Sequence, residues 1–335
     1  MWNGRQDYGN LCAEPLVFAG PAQTNPALRS IAVKVAALSG GVGGARMLRG
    51  LAMLEDVEVT AIVNVGDDEM IYGLAVSPDI DTVIYTLAGQ EGPQGWGLAQ
   101  DSNSVMDSME KFPIDTWFSI GDADLATNLF RTARLGQGWT LSQITTAQAA
   151  VFGVTASVLP VTDDPVRTEV RLEDEEWISF QTYFVDRRHQ GDVVDVRFLG
   201  AWAARPAPGV LDAVRQADVV VIGPSNPPLS IWPILTVPGV ADAVGDAQRV
   251  VAVSPLFSGR PLKGPADVVM RGLGLPHGNR GVLAAYDGLL DELVVDLADA
   301  SDIDEIDTAV ELRALDTRIA DADSAAALAA ELVKP

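Results

Sequence analysis

The chain has 335 residues, 48% of them apolar, and sets 23 Lys+Arg against 46 Asp+Glu for a formal charge of −23. That apolar share excludes wholesale disorder, and the charge excludes the basic footprint that grips nucleic-acid backbones or an anionic membrane surface, so neither is an expected partner. The one cysteine, Cys12, allows no intrachain disulfide and no cysteine-based zinc site, which suits a reducing cytoplasm.

No apolar run approaches the ~18 residues that span a bilayer. Residues 1–32 lack the basic start and apolar stretch of a signal peptide and read as a disordered extension. Order is expected from Ile31, where the apolar run 31–38 ends at Ser39-Gly40-Gly41 and gives way to a helix carrying Met47, Leu48, Leu51 and Leu54. Further strands are expected at 57–63, 154–159, 193–199, 219–222, 250–253 and 293–297. Helical patterns at 125–135, 141–152, 210–216, 240–247 and 266–273 fall between many of them. Such alternation predicts an α/β fold, a mostly parallel Rossmann-like sheet with helices on both faces. The runs 167–172 and 177–180 flank an acidic turn and predict a β-hairpin inserted within about 160–200. One α/β domain over 33–300 is expected, followed by a segment, 301–335, that closes the fold with a helix at 323–333.

The candidate chemistry sits at predicted strand ends. Gly40, Gly41, Gly43 and Gly44, followed by Arg46, form a glycine loop entering a helix, where backbone can approach a phosphate at the helix's positive end. It is neither a Walker A loop nor a dinucleotide fingerprint, since Arg46 stands where a third glycine belongs. Asn64-Val65-Gly66-Asp67-Asp68 ends the second strand; paired carboxylates there can hold a hard cation or accept from a substrate hydroxyl, or simply form a solvated turn. Asp79, Asp81 and Thr82 open a further helix as caps or as substrate acceptors. Arg131 and Arg134 share one face of the helix after Asp122 and Asp124, a face that can meet anions or merely complement the helix dipole. Ser225 and Asn226 follow the strand 219–222, and Arg260 and Lys263 follow 250–253, bringing local positive charge to an acidic chain. His189 and His277 lack metal-ligand spacing and read as loop residues.

In this order, GGVGGARML at 40–48, NVGDD at 64–68, PDIDT at 78–82, GDADLATNLFRT at 121–132, LPVTDDPVRT at 159–168, GPSNPPLSI at 223–231 and the stretch 253–266 resemble the CofD-type 2-phospho-L-lactate transferase family. The resemblance covers roughly 33–299. It implies transfer of a phospho-lactyl, phospho-enolpyruvyl or phospho-glyceryl unit from a guanosine-diphosphate-activated donor to the terminal ribityl hydroxyl of the deazaflavin Fo. GMP is released, in coenzyme F-420 biosynthesis. The GGVGGAR wording is similar to that of actinobacterial members, which favour the enolpyruvyl donor. The resemblance further implies Mg2+ as cofactor and a homodimer. It places Asp81 against Fo, with Asp79, Asp67 and Asp68 beside the reacting hydroxyl and the metal, and it turns the glycine loop and Ser225–Asn226 toward the nucleotide. Any of Asp67, Asp68 and Asp81 can take the hydroxyl proton. Trp96, Trp117 or Tyr72 can contribute a slot for the flat deazaflavin. Two positions depart from the family: Ala123 stands where a basic residue is frequent, and Asn128 where His is frequent. Two other readings predict different ligands. A YvcK-type nucleotide-sugar-binding regulatory protein shares the early glycine loop, and a nicotinamide oxidoreductase would share the sheet.

Overall fold

The computed structural model describes residues 32–173 and 176–334, so the expected N-terminal extension lies outside the described residues apart from Ala32. Strands β1 (Val33–Ser39) and β2 (Val57–Val63) pair in parallel, Val33 opposite Val57 and Ser39 opposite Val63. Helix α1 (Gly41–Ala52) joins them and buries Met47, Leu48 and Leu51, the residues at helical spacing; Leu54 falls beyond its end. A small hairpin, β3 (Glu69–Ile71) and β4 (Leu74–Val76), leads into α2 (Pro78–Leu87), which starts with proline at the position where a missing N–H costs nothing. Helices α3 (Ser104–Met109), α4 (Asp122–Gly136) and α5 (Leu141–Val151) precede β5 (Ser157–Pro160), which pairs with β2.

The predicted hairpin is present as β6 (Arg167–Leu172) and β7 (Trp177–Ser179), and β8 (Val193–Leu199) pairs with the other side of β6. The strand expected at 193–199 therefore belongs to this antiparallel sheet rather than to the main one. Its burial pattern explains the placement, since only Val193 is buried while a central parallel strand is buried throughout. The chain then returns through α6 (Val210–Gln216), β9 (Val219–Ile222), α7 (Trp232–Leu235), α8 (Val240–Gly245) and β10 (Val250–Val253). After a tight hairpin of β11 (Leu256–Phe257) and β12 (Arg260–Pro261) come α9 (Ala266–Gly272), α10 (Asn279–Ala285), β13 (Glu292–Asp296), α11 (Ala300–Ile303), β14 (Glu311–Leu315) and α12 (Ala322–Leu332).

Seven strands form the main sheet in the order β14-β13-β10-β9-β1-β2-β5, every neighbour parallel. Strands β9, β10 and β13 are buried at every residue, and the edges β5 and β14 are not. The sequence analysis did not anticipate β14. It pairs with β13 over five residues, so the described residues after 300 complete the same compact unit that begins at Ala32. Helix α1 packs on α2 and α12, and α6 packs on α8.

The strand order fixes where a ligand can enter. From β1 the chain steps to β2 on one side, and β9 lies on the other. This is a topological switch point, and open α/β sheets bind ligands in the crevice beyond the strand C-termini there. The glycine loop leaves β1 at that end, and the loop at Gly223 leaves β9 beside it.

Candidate functional site

Two loops meet at the switch point. Ser225 Oγ donates to Gly40 O at 2.7 Å and accepts from Gly40 N at 3.3 Å, tying the loop after β9 to the glycine loop. The approach needs glycine: a Cβ on Gly43 would overlap the Pro224 carbonyl, and one on Gly40 would lie 2.6 Å from Asp79 Oδ2. Gly41 adopts φ +65°, with open space where its side chain would stand. Asn226 accepts from Leu229 N at 3.3 Å and caps the following turn.

A carboxylate already sits at the start of α1. Asp79, in the first turn of α2, accepts from Gly41 N at 2.6 Å through Oδ1 and from Asn64 Nδ2 at 3.0 Å through Oδ2. An anion at a helix N-terminus is where the dipole and free N–H groups favour it. Asn64 also donates to Asp67 Oδ1 at 3.2 Å and accepts from Gly66 N at 2.7 Å. Asp79 and Asn64 thereby lock the glycine loop to the aspartate loop. Asp67, Asp68, Asp79 and Asp81 are all buried, between 6% and 8% exposed, so the solvated-turn reading of this segment does not hold.

These four carboxylates differ in what they have left. Asp79 has both oxygens occupied. Asp68 accepts from Ser77 Oγ at 2.8 Å through Oδ2, while its buried Oδ1 has no partner. Asp81 pairs through Oδ1 with Arg131, and Asp67 uses Oδ1. Among the described residues, no hydrogen bond reaches the second oxygen of Asp67 or Asp81. Ser39 Oγ and Thr168 Oγ1, also buried beside these loops, are likewise unpartnered. Buried polar atoms ordinarily find partners. Several orphans around one crevice mark a place where ligand oxygens, a cation or water complete the set.

The electrostatics agree. Burial pushes Asp68 up to about 7 against the pull of Arg131 and Arg167. Burial likewise raises Asp81 to about 7, opposed by Arg131 and assisted by Asp124. Asp79 is raised to about 6 by burial, its hydrogen bonds from Asn64 and Gly41 opposing. Asp67 lies well above the usual carboxylate range through burial and then the charges of Asp79 and Asp68. Two arginines do not balance these carboxylates in a desolvated pocket, so a further proton or cation is favoured there. Hard oxygen donors of this kind suit Mg2+, and Asp67 with the orphaned Asp68 Oδ1 forms the fitting pair. Among the described residues no group of three or more His, Cys, Asp or Glu is placed to hold a metal. A cation at Asp67 and Asp68 would therefore complete its shell from substrate oxygens and water.

The remaining candidates are distributed around this centre. Thr82 is buried on α2. Trp96 is half exposed, in a loop whose Gly95 abuts Val42 of the glycine loop. Lys263 Nζ lies 5.6 Å above the Trp96 ring and donates to Gln94 O at 3.0 Å. The structure thus brings Trp96 and Lys263 together against the glycine loop from distant parts of the chain. Arg260 is exposed on the β11–β12 hairpin, and Arg46 donates to Ile319 O at 3.2 Å. Tyr72 OH donates to Phe118 O at 2.9 Å and accepts from Phe118 N, so Tyr72 and Trp117 build an apolar cluster by β3 and β4. Arg131 and Arg134 do not act together: Arg131 is buried against Asp81, whereas Arg134 stacks over Phe130 and Trp139.

Three residues not singled out from the sequence also shape the site. Gln181 Nε2 donates to Asp67 O at 2.8 Å, Thr168 N donates to Gly66 O at 2.5 Å, and the charge of Arg167 acts on Asp67 and Asp68. All come from the inserted sheet and the turn after it, so that insertion forms one wall of the site. The quoted stretch 159–168 ends on Arg167 and Thr168, the one sequence signal for this wall.

The family model described as 2-phospho-L-lactate transferase CofD matches residues 35–333. The chain belongs to the CofD family. It is accordingly a transferase. It is 39% identical over 311 residues to a phosphoenolpyruvate transferase of Streptomyces griseus, covering 90% of this chain and 98% of that one. A phosphoenolpyruvate transferase of Thermobifida fusca is 40% identical over 316 residues, with 90% and 97% covered. The crystal structure of a UPF0052-family protein from Bacillus halodurans superposes with a TM-score of 0.61 at 18% identity, covering 90% of this chain and 99% of that one, a likeness of fold. All the CofD motifs named above fall inside the matched residues.

Proposed function

We propose that this CofD-family protein transfers a phospho-enolpyruvyl unit from a guanosine-diphosphate-activated donor to the terminal ribityl hydroxyl of the deazaflavin Fo, releasing GMP, as a step of coenzyme F-420 biosynthesis. One observation carries the reading: a glycine-loop helix start is locked to buried carboxylates, three of which keep an oxygen free. The names of the relatives favour enolpyruvyl over lactyl or glyceryl.

In this reaction the hydroxyl oxygen attacks the phosphorus bearing the enolpyruvyl group. The new P–O bond forms as the P–O bond to GMP breaks, and the hydroxyl proton passes to a carboxylate. Asp81 is assigned that proton, because Arg131 holds its Oδ1 while its second oxygen stays free, and burial raises the carboxyl toward neutral pH. Asp67 and Asp68 are the residues that would hold Mg2+, which when bound offsets the charge of the diphosphate and of the departing GMP. The N–H groups of α1 beyond Gly41, whose own N–H Asp79 holds, face the donor's phosphates in this reading together with Arg260 and Lys263, and Trp96 lines the acceptor side. A cytoplasmic homodimer with only small-molecule substrates belongs to the same reading. No helix among the described residues is long and apolar enough to cross a membrane.

The test incubates purified protein with Fo, Mg2+ and the enolpyruvyl or lactyl diphosphoguanosine donor, following GMP by chromatography and the product by mass. Equimolar GMP and Fo carrying the phospho-enolpyruvyl (or phospho-lactyl) group, faster with the enolpyruvyl donor and abolished by excess EDTA, are expected. GMP release no faster than in a protein-free blank overturns the reading, and an unchanged rate in EDTA removes the metal from it.

A further inference from the structure

Helix α4 carries a guanidinium that solvent does not reach. Arg131 is 0% exposed, and a buried cation needs partners for its N–H groups. Nη2 pairs with Asp81 Oδ1 and reaches Gln148 Oε1 at 3.5 Å. Nη1 donates to Asn128 Oδ1 at 2.8 Å and to Ala75 O at 3.1 Å. The supports are themselves held: Asn128 Nδ2 donates to Asp124 O at 2.9 Å, and Gln148 Nε2 to Thr127 O at 3.3 Å. Groups from β4, α4 and α5 thus join Asp81 in holding both Nη atoms, while the buried Nε keeps no partner. Stability alone does not call for this, because a buried ion pair contributes no more than well-packed apolar residues of similar volume. The pair instead fixes one oxygen of a carboxylate on α2 and leaves the other free.

We propose that Arg131 is a positioning residue: through its ion pair with Asp81 it holds that carboxylate in one orientation, with the second oxygen presented to the acceptor hydroxyl. The inference rests on the transferase reading above. Asn128 belongs to the same device. Its amide oxygen accepts from the guanidinium at 2.8 Å.

The experiment is a double-mutant cycle on the full chain, with Arg131→Met, Asp81→Asn and the pair combined, read as kcat and KM for both substrates beside guanosine nucleotide binding and thermal melting. Each single change is expected to lower kcat on the order of 100-fold with nucleotide affinity within about twofold, as misplacement of a reacting group does. The combined variant should be no slower than the worse single one by more than about threefold, because Arg131 acts only through Asp81. Should Arg131→Met not fold, Arg131→Lys replaces it in the cycle. It keeps the charge without the fork and should still lose about tenfold in kcat. Losses that multiply, or a kcat within about threefold of wild type for Arg131→Met or Arg131→Lys, overturn the inference while leaving the transferase reading standing. A wild-type protein that turns over neither donor overturns that reading, and the inference with it.

Discussion

The aspartates around the crevice have opposite consequences for folding and for ligand binding. Asp68 titrates at about 7 in the folded chain, against an ordinary value of 3.8. A carboxyl raised in this way binds its proton more tightly folded than unfolded. Between about pH 4 and 7 the native state therefore holds more protons, and stability falls as pH rises through that window. Asp67, Asp79 and Asp81 are raised in the same direction. Metal-free protein should accordingly melt at a higher temperature at pH 6 than at pH 8, and Asp68→Asn should flatten that difference. Mg2+ should raise the melting temperature more at pH 8, where it does not compete with protons. Differential scanning calorimetry at the two pH values checks all three; equal slopes for wild type and Asp68→Asn would detach Asp68 from the effect. The aspartates themselves were legible in the sequence, because they recur at strand ends and at a helix start. What each one retains was not legible. That Asp79 is fully occupied while Asp68 keeps an orphaned oxygen depends on Gly41, Asn64 and Ser77, whose placement only the packed loops decide.

Between elements, stability and site geometry come from different contacts. In an isolated helix, alanine in place of Gly43 would gain about 1 kcal/mol. Here the added methyl meets the Pro224 carbonyl on the neighbouring loop, so Gly43→Ala is expected to cost about 1–3 kcal/mol net and to weaken nucleotide binding. Urea unfolding together with a guanosine nucleotide titration reads both effects. Far from the crevice, Glu292 at the start of β13 accepts from Arg249 and Arg313, each at 2.7 Å, and Arg313 also reaches the Glu331 carbonyl on α12. Glu292→Gln should cost about 2 kcal/mol, since it leaves two partly buried arginines facing a neutral amide, and should leave kcat unchanged. A matching loss of kcat would show that the β13–β14 edge transmits to the site. Most parallel strands were legible as short apolar runs, because a strand buried on both faces must be apolar throughout. Strand β14 was not, since Glu311-Leu-Arg-Ala-Leu315 is a half-exposed edge whose pattern matches surface loop. Nor was the role of the insertion legible: Gln181 reaches the Asp67 carbonyl across 114 positions of sequence, a contact no local pattern records.

At the scale of the whole molecule, the net charge of −23 opposes the proposed chemistry, because the donor brings further negative charge to an acidic surface. The fold answers locally. It brings Lys263 onto the Trp96 loop that abuts Val42 of the glycine loop, and Arg260 lies three residues before it on an exposed hairpin. The two influences have different ranges. Long-range repulsion is screened once the Debye length falls from ~30 Å at 0.01 M salt to ~10 Å at 0.1 M, whereas contacts of a few ångströms within the crevice are screened far less. With Mg2+ saturating, kcat/KM for the guanosine donor should therefore rise severalfold over that salt range, the reverse of the fall seen where a basic cleft steers an anion. Lys263→Gln removes one of the local positive charges and should make the rise steeper, because more of the approach is then governed by the repulsive field. Stopped-flow or initial-rate measurements across the salt series check this. A donor kcat/KM that falls with added salt would mean that the cluster near the glycine loop already outweighs the rest of the surface at the distances from which the donor approaches.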